Sequence, residues 1–312
     1  MICVNVLFFV SKIVFYMSSS FMLFLLERVL LSIVLAGLSG CDTALIYSSI
    51  EEDEAQRVFG RYSAFETLGF LLASVFSSFM VEISLDFTAL CTIFPYALAA
   101  ILTLFLVEVK VDNKEKPKLK ESFKQAFRDK TIIIFIISIA LIIEVFQAVT
   151  VFLNQSQYLK SGIDAKYFGV ILAGIQVIRL FSVKSNYLSK KLGSCQAIVA
   201  LNFLMVLCCI VLIFTSSSIL SVMTIILISF SAAMIAPIEM DIKNKTIRTS
   251  NRATILSIYS MAGSVIASIG NIIIGKTTDY SLEMGFITCS MMCVLGLILM
   301  IVYYKLTKEK NN

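Results

Sequence analysis

Ten apolar runs, separated by short polar stretches in which Lys and Arg crowd every second gap, constrain this chain more than any single residue does. A helix needs about 20 apolar residues to cross a bilayer, and in lipid its backbone groups must be satisfied within the helix itself. The candidate spans are 3–16, 21–50, 64–81, 87–107, 131–152, 167–183, 195–214, 220–238, 253–274 and 284–304. They predict an all-α integral membrane protein with about ten transmembrane helices.

Composition excludes several alternatives. The chain is 58% hydrophobic, with a mean hydropathy of +0.91, and a soluble domain so composed would expose large apolar patches. It has no His, which rules out imidazole catalysis, imidazole metal ligation and His-based pH sensing. The eight cysteines fall in or at the edge of apolar runs, without the short polar spacings of zinc or haem sites, and are expected to pack as small hydrophobes. No nucleophile–base constellation and no phosphate-binding Gly-rich loop is present in the sequence, so neither an enzyme, a cofactor, a metal nor ATP-driven work on this chain is expected.

Loop charge sets the orientation. If the chain starts inside and crosses ten times, the cytoplasmic loops and termini hold twenty of the 26 Lys and Arg. Lys160, Lys166 and Lys276 lie outside, and Lys12, Arg28 and Arg179 fall within spans. By the positive-inside rule both termini are cytoplasmic in a multi-pass plasma-membrane protein. The net charge of +5 then reflects topology and implies no nucleic-acid partner, while the basic loops suit anionic lipid headgroups. The first span resembles a signal peptide in length only: no basic residue precedes it, Lys12 interrupts it, and no small-x-small cleavage site follows.

The longest charged stretch, 108–130, reads as a cytoplasmic linker. It divides the chain into a four-span N-terminal bundle (1–108) and a six-span C-terminal bundle (131–312), joined by 109–130. Within it Leu119, Phe123 and Phe127 recur at i, i+4 and i+8, predicting an amphipathic helix on the cytoplasmic membrane face. Two bundles rocking about a central site is a common transporter plan. A faint repeat supports related halves: Ser63 precedes Gly69 by the same spacing as Ser257 precedes Gly263.

A charge at mid-membrane costs roughly 2.5–3.5 kcal/mol on insertion scales and needs a cavity, a partner or a function. Arg28 and Asp42 share a face about 21 Å apart at 1.5 Å per residue, too far to pair with each other. Arg28 either binds an anionic group or holds a neighbouring helix. Glu144 and Gln147 place a carboxylate and an amide on one face about halfway across the bilayer. Glu144 is the preferred proton carrier, the alternative being a structural pair with Arg28, Lys12 or Arg179. Gln147, Tyr16 and Phe146 are candidate solute contacts, and Glu66 is expected to pair near the cytoplasm. Gln176 and Arg179 share a face, with Arg179 expected to snorkel. Glu239 and Asp241 follow Pro237, as solvated caps or as gate partners of Arg252.

Four places carry a family resemblance. They are Ser39-Gly40-Cys41-Asp42-Thr43-Ala44-Leu45-Ile46-Tyr47, then Glu54-Ala55-Gln56-Arg57, then Asn251-Arg252-Ala253-Thr254 with Ile255-Leu256-Ser257, and Gly275-Lys276-Thr277-Thr278-Asp279. They resemble the major facilitator superfamily, and within it the bacterial drug-efflux-like branch. The resemblance implies a secondary transporter of a small organic solute working by alternating access, with Glu54, Arg57, Arg252 and Glu239 at the cytoplasmic gate and proton-coupled efflux as one direction, uptake as the other. On this alignment the first span is the family's third helix, so the first two helices and the latch motif after the second are missing. A looser latch counterpart is Tyr187-Leu188-Ser189-Lys190-Lys191-Leu192-Gly193. The antiporter pattern of Arg followed by Gly four residues later is half met, with Ser32 four residues after Arg28. The Gly-Pro motif of the next helix is absent, since only Gly69 stands there. A non-transporting remnant or accessory membrane protein is the alternative.

Overall fold

The fold comes from a computed structural model of the chain, which describes residues 2–38, 55–106, 119–179, 182, 184–247 and 252–311. Every regular element among the described residues is helical. The chain divides into two compact units, Met1–Lys114 and Glu115–Asn312.

The first unit holds α1 (Ile2–Met17), α2 (Phe21–Leu38), α3 (Ala55–Ile83) and α4 (Leu85–Thr103). Helix α1 packs on both α2 and α4, with the Phe8 and Tyr96 rings 4.3 Å apart. Ser84 alone separates α3 from α4; its hydroxyl accepts the Phe87 amide at 2.9 Å, satisfying an N-terminal donor and restarting the helix. Pro95 sits inside α4.

The second unit runs through α5 (Leu119–Ala126), α6 (Lys130–Gln147), a π-helical turn (Ala148–Leu153), α7 (Asn154–Lys160), α8 (Phe168–Arg179), α9 (Ser185–Leu192), α10 (Ser194–Phe214), α11 (Ser218–Thr246), α12 (Arg252–Tyr280) and α13 (Leu282–Asn311). Its centre is α6, α10 and α13. Helices α6 and α13 approach closely at Gly296, where a Cβ would stand 3.2 Å from the Ser138 carbonyl oxygen and 3.0 Å from Ile142. Ser138 Oγ donates to Gly296 O at 2.7 Å, and Asn202 Nδ2 of α10 donates to Cys293 O at 3.0 Å. With no hydrophobic drive between helices in lipid, such small residues and side-chain-to-backbone bonds hold a bundle together. Cys208, Cys209, Cys289 and Cys293 are buried free thiols in this core, as small packing residues should be.

Seven of the described helices are long and apolar enough to cross a membrane unaided. The remaining expected spans fall on shorter pieces: Ile2–Met17, the apolar part of α3 (Leu68–Ile83) and the 12-residue α8. Pro237 lies inside α11, which continues to Thr246, well past the expected end of that span.

The linker helix forms, and one of its faces packs on the rest of the unit. Ser122 and Ala126 are fully buried, Phe127 packs against the core of the unit, and Phe123 is exposed. Helix α5 lies against α12, and Tyr259 Oη donates to Ala126 O at 3.3 Å. The small side chains allow this close docking.

Candidate functional site

Helix α6 begins at Asp129, whose carboxylate accepts the Thr131 amide at 3.0 Å, and continues as a run of isoleucines. Beta-branched residues are mediocre helix formers in water, but lipid leaves the backbone no other partner. Glu144 comes about 21 Å along this helix at 1.5 Å per residue, near the middle of the continuous helical run Lys130–Lys160.

Glu144 borders a cavity of about 460 Å³ between α6, α8, α11 and α12. Ile139, Ala140 and Ile143 give one wall its apolar surface, Ser260 and Ser264 of α12 add hydroxyls, and Gln147 opens onto the same space. Glu144 is only 4% exposed. Among the described residues its Oε1 accepts no hydrogen bond, and the residue joins no ion pair. The carboxylate is also confined from behind: a Cβ at Gly270 of α12 would come 3.2 Å from Glu144 Cγ and 2.7 Å from Met292 Cε.

Three other charges line the cavity. Arg179 ends α8, with its guanidinium 3.4 Å from Gln176 Oε1 and stacked over the Phe146 ring at 5.5 Å. It lines the cavity, and among the described residues it does not pair with Glu144. Glu239 and Lys243 form an ion pair one turn apart on α11, cancelling each other's charge. Asp241 pairs likewise with Lys245 at 2.6 Å.

The remaining candidates lie elsewhere. Arg28 is on α2, where its Nε stands 3.0 Å from Glu27 Oε2 and its guanidinium lies 6.0 Å from the Phe15 ring centroid. Lys12 of α1 shares the same carboxylate at 3.8 Å. Asp42 and Glu54 fall outside the described residues. Arg57 and Arg252 lie on α3 and α12, and Glu66 on α3, with side chains outside the described set. Among the described residues no group of three or more acidic or thiol ligands is placed to hold a metal.

Sequence reasoning missed Glu27, which is fully buried between α1 and α2. A signal existed: Lys12 lies about 7.5 Å before the end of α1 and Glu27 about 9 Å after the start of α2, so an antiparallel hairpin puts them at one depth. It also missed the π-helical turn Ala148–Leu153, which begins directly after Gln147 and for which the sequence carries no cue. Such turns recur at functional sites because the extra residue re-aims the side chains around it.

The family model of the Major Facilitator Superfamily matches residues 1–271 and again 180–312. The chain belongs to this superfamily of membrane transporters. No curated protein matches it in sequence. Among solved structures it is similar to a mutant of the nucleoside transporter NupG, at TM-score 0.81 and 14% identity, covering 97% of this chain and 82% of that one. A bacterial homologue of the human lysosomal transporter Spinster matches in its inward-facing unoccupied form, at TM-score 0.65 and 14% identity over 97% and 80% of the two chains. Its occupied form matches at TM-score 0.69 and 15% identity, over 98% and 82%. At such identities the likeness is one of fold.

Proposed function

We propose that this chain is a secondary transporter that moves a small organic solute by alternating access, coupled to protons and running as efflux in the manner of the drug-efflux-like branch. The observation that carries it is Glu144: a carboxyl group 4% exposed, with an oxygen that lacks a partner among the described residues, facing a cavity of solute size. A carboxyl group built only to stabilise the bundle would be expected in an ion pair or a hydrogen-bonded network. Glu144 takes and releases the proton, and Gln147, one turn on and open to the same cavity, offers both a donor and an acceptor to the solute.

Arg179, beside Gln176 and Phe146, fixes a positive edge on the cavity, while Glu239, paired with Lys243, and Arg252 are gating residues of the second unit, and Glu54 and Arg57 gating residues of the first. The π-helical turn after Gln147 supplies a place where the helix carrying the site changes register during opening and closing. The bundles are 1–108 and 131–312, joined by 109–130, and the loop charges place both termini on the cytoplasmic side of the plasma membrane. Flux of a panel of fluorescent solutes in vesicles holding the protein, with and without an imposed proton gradient, tests the proposal. Gradient-driven flux is expected, and Glu144→Gln abolishes its dependence on the gradient.

A further inference from the structure

We infer that the second unit holds a binding site for one anionic phospholipid, with an acyl chain in the groove between α10 and α13 and its phosphate beside Lys190, Lys191 and Lys308. Helices α10 and α13 pack along each other and leave a groove of about 340 Å³ between them. Val199, Ala200 and Phe203 wall it from α10, and Leu297 and Ile301 from α13. Phe203 and Ile301 are exposed, while Ala197, Ile198 and Leu201 turn to the core, so the groove opens outward to lipid. It runs about 10 Å, the rise from Gln196 to Phe203 and from Leu297 to Tyr304.

Only one end of the groove is polar. There Gln196 Nε2 donates to Tyr304 Oη at 3.2 Å, a hydrogen-bonded rung between the two helices. Gly193 makes room for that amide, since a Cβ would stand 2.6 Å from Gln196 Oε1. Beyond the rung come cations. Leu297, Ile301, Tyr304 and Lys308 follow at steps of four, three and four residues, so Lys308 continues the stripe of α13 that lines the groove, one turn past the rung. Glu309 lies about 100° further round the helix. On the other side the Ser189 and Ser194 hydroxyls, 2.9 Å apart, pin the end of α9 to the start of α10, which brings Lys190 and Lys191, in the last turn of α9, to the same end. All three lysines are exposed. An apolar trough, an uncharged rung and then cations match the acyl chain, ester and phosphate of a phospholipid in order. A fatty acid would put its carboxylate at the rung, short of the lysines. Lipid tails are as apolar as the groove, so the lysines, rather than the trough, select the occupant by its headgroup.

Transport is not required, so failure of the transport proposal leaves this inference standing. The chain has no Trp, and Phe203→Trp therefore puts a single indole in the groove. Its quenching by phosphatidylglycerol and by phosphatidylcholine, each brominated on the acyl chain, gives their relative affinities in vesicles holding the full chain. Phosphatidylglycerol is expected to be favoured about fivefold or more. Lys308→Gln lowers that ratio about fivefold or to parity, and Lys190→Gln with Lys191→Gln lowers it likewise. About 1 M salt, where charges are screened beyond about 3 Å, removes the preference without any substitution. Ala200→Leu fills the groove and reduces quenching by both lipids. Phe214→Trp, exposed at the opposite end of α10, shows no headgroup preference. Equal quenching of Phe203→Trp by the two lipids, or a preference that survives both high salt and loss of the three lysines, overturns the inference. So does displacement of phosphatidylglycerol by an equimolar brominated fatty acid, which would assign the groove to a free acid.

Discussion

Glu144 and Gly270 meet across the interface of α6 and α12, where a Cβ on the glycine would lie 3.2 Å from the carboxylate's Cγ. The proposed proton carrier is therefore shaped by the absence of a side chain opposite it. Gly270→Ala adds a methyl group that collides first with Met292 Cε, at 2.7 Å, and a methionine tip moves easily. Overpacking costs about 1–3 kcal/mol, while exchanging Gly for Ala in a helix returns up to about 1 kcal/mol. The melting temperature should fall only slightly. Flux should fall much further, because Glu144 must shift, and parallel melting and vesicle assays separate the two effects.

Glu27, between Lys12 and Arg28, gives a second contrast. Glu27 is fully buried and Lys12 largely so; removing one partner from such a buried pair typically costs about 3–5 kcal/mol, whereas replacing all the charges by apolar residues is often neutral. Glu27→Leu should sharply lower the melting temperature in detergent. The triple change of Lys12, Glu27 and Arg28 to Met, Leu and Met should restore most of it.

Gln157 anchors a buried polar knot at the far end of the second unit. Its Nε2 donates to Ser221 Oγ at 2.9 Å and Thr215 O at 3.1 Å, and Ser218 Oγ donates to Ser161 O at 2.6 Å. Gln157→Leu strands Thr215 O and takes a donor from Ser221 Oγ, at a cost of about 1–3 kcal/mol. A lower melting temperature with no change in the proton dependence of flux is the expected outcome.

Tyr259 holds the linker helix onto the bundle through Ala126 O. Tyr259→Phe should cost only about 0.5–1.5 kcal/mol, yet speed amide exchange locally over 119–126. Uniform loss of protection across the second unit would instead make the hydroxyl a global stabiliser.

Much of this molecule was legible in its sequence because lipid simplifies the code. Apolar run length reports helices directly, and a carboxylate in an isoleucine run marks itself, as Glu144 does with Gln147 one turn away. What was hidden depends on which helices become neighbours. Glu27 was passed over beside Arg28 because its burial comes from α1, and Gly270 looks like any small helix residue until Glu144 is placed opposite.

The measurement that reaches the central claim most directly is to compare solute exchange with net flux in proteoliposomes for the unaltered chain and Glu144→Gln. Exchange of labelled for unlabelled solute needs the cavity and the alternating motion but no net proton movement. The account predicts that Glu144→Gln keeps exchange and loses gradient-driven net flux. Gradient-driven net flux that survives the substitution would contradict it.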